Sequence, residues 1–507
     1  MKKTKLPSFL ISLFSILLLP LSCQSQLDSK ASEASGDLSK YASKIDSLVN
    51  GFAEFGEFNG ALLVAKEGEV VYQKGHGYAN MEWQIPNHPT TRFRIGSVTK
   101  QFTAMLIVQL AAQGQLNLQQ TVSSYLPEYP KENGERITLH HLLTHSSGIP
   151  NNHGPSKPRK DIPGMTIPDN YAAQDLVDAF SALPLEFTPG AKFSYCNAGY
   201  SLLGLIIERV TGKAYEAALK ERIFDPLGMK NTGFDKHRNL IENRAAGYFR
   251  SWGSWYNANY VDISSVYAAG GLYSTVEDLN LWDQALYTEE IVPKTYMDLV
   301  FTAHLPDKGY GGHYGYGWSI IDKSIGSSGE TVTTIMHDGV IDGFCAIITR
   351  IPSSRSSVIL LSNVRRAPLN TMTKAIMGIL YDQPYDFPKR SVAYSTLELI
   401  NTDGLSQAKA HFEMVKNDDT YFVEENEINA VSYQLLLSDN APAAAEILKL
   451  GIEVFSKAFN LYDSYGEVLR KLGQQDESIK NYKKSLELNP SNENAKRVLK
   501  EMGVEGY

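Results

Sequence analysis

Ser97 and Lys100 stand three residues apart, where a turn at Gly96 gives way to the almost wholly apolar run from Phe102 to Ala112. On a helix that spacing puts a hydroxyl and an amine on one face, within reach of each other. A serine hydroxyl alone is a weak nucleophile, and an amine that burial keeps unprotonated can take its proton and activate it. The pair therefore predicts acyl transfer by a serine that uses no histidine base. The apolar run contains no proline and stops at Gly114, which places Ser97 in the first turn of a buried helix. Free N–H groups and the positive end of the helix dipole would there hold an oxyanion and oppose protonation of Lys100. Ser406 and Lys409 repeat the spacing on a mixed segment that is predicted to be an exposed helix.

A lysine base needs a second group that protonates the leaving atom, and donors that fix the substrate. Tyr195 and Asn197 follow the turn at Pro189 and Gly190 and open another apolar run, so Tyr195 is expected to relay protons and Asn197 to donate to a substrate carbonyl. Tyr78 and Asn80 share the pattern but end a predicted hairpin strand, where tyrosine usually packs. A basic residue two before a glycine, on a strand edging the cleft, would complete the set, because glycine lets a substrate backbone approach. His337 and Gly339 meet this description. They follow the β-type run Thr331–Met336 and precede two more, Phe344–Ile351 and Ser357–Leu361. Three rivals fail on context: Lys66–Gly68 reads as a hairpin turn, Lys471–Gly473 as part of a helical repeat, and His313–Gly315 as the start of an aromatic loop. The N–H groups of Ser97 and Val340 are the expected oxyanion hole.

These motifs carry a resemblance. From about Lys44 to Tyr385 the chain resembles the class C β-lactamase and serine penicillin-binding-protein superfamily, through FRIGSVTKQFTAMLI, ITLHHLLTHSSGIP, FTPGAKFSYCNAGYSLLG, AAGGLYSTVEDLNLW, YGYGWSI and MHDGVIDGF in order. The resemblance implies an α+β, β-lactamase/transpeptidase-like fold, an antiparallel sheet flanked by helices with an inserted helical region. It implies Ser97 as the acylated nucleophile, Lys100 as its base, Tyr195 as general acid/base, and His337 with Gly339 as the third motif. β-Lactamases of this group usually carry lysine where His337 stands, and a histidine is mostly neutral near pH 7. An ester, amide or D-amino-acid peptide is therefore a better expected substrate than an antibiotic, which makes the chain esterase-, D-aminopeptidase- or D,D-carboxypeptidase-like. The alternative is a penicillin-binding-like binding or sensor protein with little turnover.

The rest of the chain sets the context. Its 507 residues exceed one ordinary domain, and 43% hydrophobic content supplies a sizeable core. A formal charge of −8, with no basic run and no phosphate-binding glycine loop, argues against nucleic acid. No cofactor or metal is expected. Lys2, Lys3 and Lys5 followed by an apolar run to Leu19 predict a signal peptide over 1–23, and Leu21, Ser22 and Cys23 resemble a lipoprotein cleavage site. The protein is thus expected to be exported to the periplasm or cell surface, with lipidated Cys23 as a membrane tether and 24–43 as a flexible linker. Cys196 and Cys345 are expected to be small core residues without a bridge. His141 and His145 have a zinc-like spacing, but the metalloprotease glutamate is missing and a structural capping role is favoured. The aromatic cluster Tyr248, Phe249, Trp252, Trp255 and Tyr256 fits either a substrate groove or the cover of a sheet.

After the domain expected over 44–385, a linker is predicted for 386–400 and an all-α domain resembling tetratricopeptide repeats for 401–507. Gly466, Leu469, Ser478 and Tyr482 fall at repeat positions, and Ser432, Leu435, Ala444 and Leu448 fall 34 residues before them. Ala410 lies one further period back, and Asn494–Met502 is the expected closing helix. Such an array serves either as a docking surface for a protein partner or as a buttress for the catalytic domain.

Overall fold

The computed structural model describes residues 40–151, 171–251, 254–307, 309 and 311–506. The segment expected as a signal peptide, Cys23 and Trp252 lie outside the described residues.

Eight antiparallel strands form one sheet, in the order Leu305–Asp307, Gly312–Tyr314, Ser319–Ser324, Thr331–Ile341, Phe344–Ile351, Ser356–Ser362, Gly60–Lys66 and Glu69–His76. The hairpin turning at Gly68 joins the later strands as its sequence predicts, with Leu63 opposite Ile359 and Ala346 opposite Leu361. Successive side chains of a strand point to opposite faces. Ala61, Leu63, Ala346, Ile348, Ile359 and Leu361 accordingly join one core, while Leu62, Val64, Cys345, Ile347, Val358 and Leu360 join another. The second core is closed by the helix Leu369–Leu380 and by a helix over 40–54, which buries Tyr41 and Ile45. The folded domain thus includes residues 40–43, which were expected in the linker. His313 departs from expectation too: it sits in an outer strand opposite Ile320, because its segment finds a free sheet edge.

The first core carries the helical region. The helix Thr99–Ala112 is buried on every side from Thr99 to Ala111, which explains why its apolar run shows no amphipathic stripe. It lies beside the helix Asn197–Thr211, whose left-handed cap at Gly212 ends it, and beside the short helix Tyr267–Gly270. Arg350 and Asp283 form a buried ion pair at 2.5 Å, with side chains 2% and 0% exposed. The guanidinium also lies 4.4 Å from the Tyr287 ring centroid. Removing one partner leaves a buried charge, so Asp283→Ala should lower unfolding stability by about 3–5 kcal/mol, read from the denaturant midpoint. Replacing both residues by apolar ones of similar volume should cost much less; equal losses would refute this account.

The C-terminal part is helical, in antiparallel pairs, apart from a short parallel pairing of Arg390–Ser391 with Tyr421–Phe422. The segment expected as linker holds most of the helix Val392–Thr402, whose Val392, Ala393, Leu397 and Ile400 enter the helical core. The helices Glu425–Leu437 and Ala441–Val454 recur at the 34-residue spacing as Phe459–Lys471 and Gln475–Leu488. Small residues stand where the pairs meet: a Cβ on Gly466 would lie 3.0 Å from the Tyr482 ring, and Ser478 Oγ donates to the Gly466 carbonyl at 2.7 Å. One period earlier the buried position belongs to Ala408, not Ala410, which is exposed. Ser406, the rival serine, is exposed on Leu405–Val415 as expected. The helix Glu493–Glu501 closes the array, tied on by the Asp463 carboxylate, which accepts from Asn492 and Asn494 at 2.8 Å each.

Candidate active site

Ser97 sits in a single 3-10 turn, Gly96–Val98, that runs straight into the buried helix. Two glycines let this turn press against the third-motif strand. Gly96 has φ 49°, and a Cβ there would stand 2.9 Å from the Val340 nitrogen; a Cβ on Gly339 would stand 2.0 Å from the Ile95 oxygen and 2.9 Å from the Ser97 nitrogen. Any side chain would therefore push the two backbones apart. The Ser97 and Val340 nitrogens line one seam as a result. Beyond Met336 the strand Thr331–Ile341 has no pairing with Ser319–Ser324, while it stays paired with Phe344–Ile351 on its other side.

Lys100, one helical turn on, is fully buried. Its Nζ lies 3.1 Å from Ser97 Oγ, 2.8 Å from Asn197 Oδ1 and 2.7 Å from the Ala269 carbonyl oxygen. Two of these partners can only accept, and the serine hydroxyl alone can donate. A neutral amine has two hydrogens and one lone pair, which matches this set. Burial favours the same state, pulling the Lys100 pKa down to about 7 against the opposing effects of Cys196 and Asp338. In its neutral state the amine can therefore give its two hydrogens to Asn197 and Ala269 and turn its lone pair to the serine hydroxyl.

Tyr195 enters from the segment that precedes the helix Asn197–Thr211. Its ring lies 4.8 Å from Lys100 Nζ and 6.3 Å from the His337 ring. Burial pushes its pKa above the usual phenol value, so it is a protonated phenol, able to donate and not already a base. Cys196 alternates away from the cleft: Sγ accepts from the Gly199 N–H at 3.4 Å and donates to the Ile149 carbonyl at 3.3 Å. Cys196 and Cys345 are both buried and free.

His337 is buried beside these groups. Its Nδ1 is 2.5 Å from the Asp338 carbonyl oxygen, and its Nε2 is 3.0 Å from Tyr314 Oη. Burial takes its pKa down to about 4. The seven residues singled out in sequence, Ser97, Lys100, Tyr195, Asn197, His337, Gly339 and Val340, are thus gathered at one place from three separate chain segments.

Sequence reasoning missed three contributors. The Ala269 carbonyl anchors Lys100. His145 and His141 do not share a helix face: His141 completes a capping box with Thr138 at the start of Leu139–Leu143, whereas His145 lies beyond that helix at φ 54°. The His145 ring lies 4.3 Å from that of Tyr195, and its Nε2 is 3.2 Å from Tyr314 Oη. In the aromatic cluster, Tyr248 is buried, while Phe249 and Tyr256 stack across a two-stranded hairpin at 5.2 Å, with Tyr256 exposed.

The likeness to known proteins covers this same region. A family model described as Beta-lactamase matches residues 45–377 and stops short of the C-terminal helices. PbpX of Bacillus subtilis (strain 168) is 31% identical over 356 residues, spanning 70% of this chain and 83% of PbpX. Among solved structures, the penicillin binding protein from Bacillus halodurans superposes with a TM-score of 0.54 at 30% identity, covering 64% of this chain and 97% of that one. The D-amino acid amidase from Ochrobactrum anthropi SV3 superposes with a TM-score of 0.57 at 26% identity, covering 68% and 99%.

Proposed function

The chain belongs to the beta-lactamase family of serine hydrolases, with penicillin-binding proteins and a D-amino acid amidase among its likenesses, and from that premise we propose an acyl-enzyme mechanism on an ester, an amide or a D-amino-acid peptide. Lys100 takes the Ser97 proton as Oγ attacks the carbonyl carbon. The Ser97 and Val340 N–H groups receive the oxyanion, whose charge they stabilise without rearrangement. The Tyr195 phenol gives its proton to the leaving atom and regains one from the Lys100 ammonium that the attack formed. The edge of the strand that faces away from Phe344–Ile351, from His337 onward, accepts the extended substrate, and Asn197 helps to fix its carbonyl. Water then repeats the sequence on the acyl-serine. The observation that carries this reading is the Lys100 amine, which has two acceptor-only partners and one hydroxyl within reach.

Intact-mass spectrometry after incubation with a fluorophosphonate, followed by peptide mapping, tests it. One adduct is expected, on Ser97. An unmodified folded protein, or an adduct placed elsewhere, would overturn the reading. Benzylpenicillin should acylate the same serine more slowly, because neutral His337 offers its carboxylate no charge.

On localisation we propose export, with Cys23 as a lipid tether, on the strength of the leader-like sequence alone. The C-terminal helices we read as tetratricopeptide-like and chiefly a buttress. Their helix Val392–Thr402 brings the Tyr394 ring 5.6 Å from the Arg250 guanidinium of the aromatic hairpin, and Gln434 reaches Ser254 at 3.5 Å.

A further inference from the structure

The hydrogen bonds around His145 run in one direction only. The Cys196 N–H donates to His145 Nδ1 at 3.0 Å, so the hydrogen of the neutral ring sits on Nε2, which faces Tyr314 Oη at 3.2 Å. At the other end the Asp338 carbonyl can only accept, so His337 carries its hydrogen on Nδ1 and its Nε2 accepts from the Tyr314 hydroxyl. Tyr314 thus receives from one histidine and gives to the other. The His145 backbone also accepts from the Ser194 N–H at 2.8 Å. Both residues flanking Tyr195 are therefore bonded to His145. All three members of the chain, His145, Tyr314 and His337, are at least 97% buried, at 1%, 1% and 3% exposure.

We propose that His145 and Tyr314 are positioning residues that tie the tyrosine motif to the third motif, fixing Tyr195 and holding His337 as the Nδ1–H tautomer with its Nε2 engaged. The site in consequence selects acyl substrates that carry no carboxylate beside the reacting bond. A proton added to His145 would face the Cys196 N–H, donor against donor. A proton added to His337 Nε2 would face a hydroxyl oxygen that already accepts from His145 and would have to turn its own hydrogen elsewhere. The groups around the pair do not favour a charge: Lys100 and the two histidines oppose one another, and burial outweighs the attraction of Asp338. Tyr195, Tyr200 and Tyr314 complete the surroundings as neutral phenols. Buried polar chains of this kind favour one geometry, and here the fixed directions of the Cys196 N–H and the Asp338 carbonyl at the two ends set the order between them.

This inference rests on the acyl-transfer reading, and its test separates the two. In the full chain labelled with ¹⁵N-histidine, long-range ¹H–¹⁵N spectra should show His145 as the Nε2–H tautomer and His337 as the Nδ1–H tautomer, neither protonating between pH 5 and 8. His337 found as the Nε2–H tautomer, or titrating near its ordinary value, would overturn the proposal even with Ser97 labelling intact. Lost labelling with the expected tautomers would overturn the acyl-transfer reading instead. Tyr314→Phe, which keeps the ring and removes the link, should leave His337 neutral, because burial remains, but should loosen Tyr195, so that kcat for 4-nitrophenyl butyrate falls about tenfold with KM little changed. In the wild-type protein kcat/KM for the same ester carboxylated at the leaving group's 3-position should lie about tenfold below that of the plain ester. An unchanged kcat in the folded variant, or equal turnover of the two esters by the wild type, would refute the proposal.

Discussion

Ser97→Ala should lower kcat for any ester or peptide the protein turns over by on the order of 10⁵-fold, with KM little changed and the fold intact. The size follows from what is lost. Without Oγ no acyl-serine forms, so Lys100, Tyr195 and the two N–H groups have no bond to assist. What remains is binding and polarisation of the carbonyl, which still leaves some rate over water. The substitution itself is mild: Ser97 is half-buried, at the surface of the turn, and its hydroxyl is one of three partners of Lys100. The denaturation midpoint should therefore stay within about 1 kcal/mol of wild type. Steady-state assays with a chromogenic ester decide the point. Turnover within tenfold of wild type would mean that Ser97 is not the nucleophile, whatever its surroundings.

Why Ser97 could be found from sequence, while its supporters could not, has a physical reason. Ser97 and Lys100 are linked by helix geometry, and a three-residue spacing fixes that relation locally. Gly339 and Gly96 were legible because close approach of two backbones leaves room for nothing else. The strands declared themselves by their runs of β-branched and apolar residues. His145 and Tyr314 left no such trace, since they meet across 169 positions of chain through one hydroxyl. HHLLTHSSG states that a helix ends there, and YGYGW states that aromatics pack; neither states that the two touch. The domain boundary was misplaced for a related reason. Val392–Thr402 shows a helical pattern, but whether a helix belongs to the domain before it or after it depends on which core takes its apolar face, and here the helical core does.

The hairpin of Tyr248–Ser251 and Ser254–Asn257 stands between the two halves of the molecule. On one side Gly247, just before it, packs against Gly343 and Phe344, at the turn that follows the third-motif strand: a Cβ on Gly247 would lie 2.6 Å from the Phe344 ring. On the other side it meets Tyr394 and Gln434 of the C-terminal helices. Of the two expectations for the aromatic cluster, the buried Tyr248 fits the covering role, and its hydroxyl is bonded to the Met81 N–H at 2.8 Å. The exposed face of the hairpin, with Trp255 and Tyr256, remains on the surface. The buttress reading has this physical content: an array attached at this point would brace the turn that follows the third-motif strand.

Lys100→Met should lower kcat/KM by about 10³- to 10⁴-fold and remove the acid limb of the pH profile. Methionine matches the length of the lysine stem and suits a dry site, so packing is kept while the base is lost. In the wild-type protein the reactive form is the neutral amine. Because burial brings the Lys100 pKa to about 7, kcat/KM should rise with pH, tenfold per unit well below that value, and level off above it. No other group named in the mechanism titrates there. His337 sits at about 4, His145 lies well below its ordinary value, and the Tyr195 phenol lies above its own. A limb with a midpoint near 7 therefore reports Lys100, whereas one near 4 would point to a histidine or a carboxylate. The double variant Ser97→Ala/Lys100→Met supplies the last constraint. A base acts only through the nucleophile it serves, so the double variant should be no slower than Ser97→Ala alone. A further large loss on adding Lys100→Met would show that the amine works on the substrate independently of the serine, and would overturn its assignment as the base.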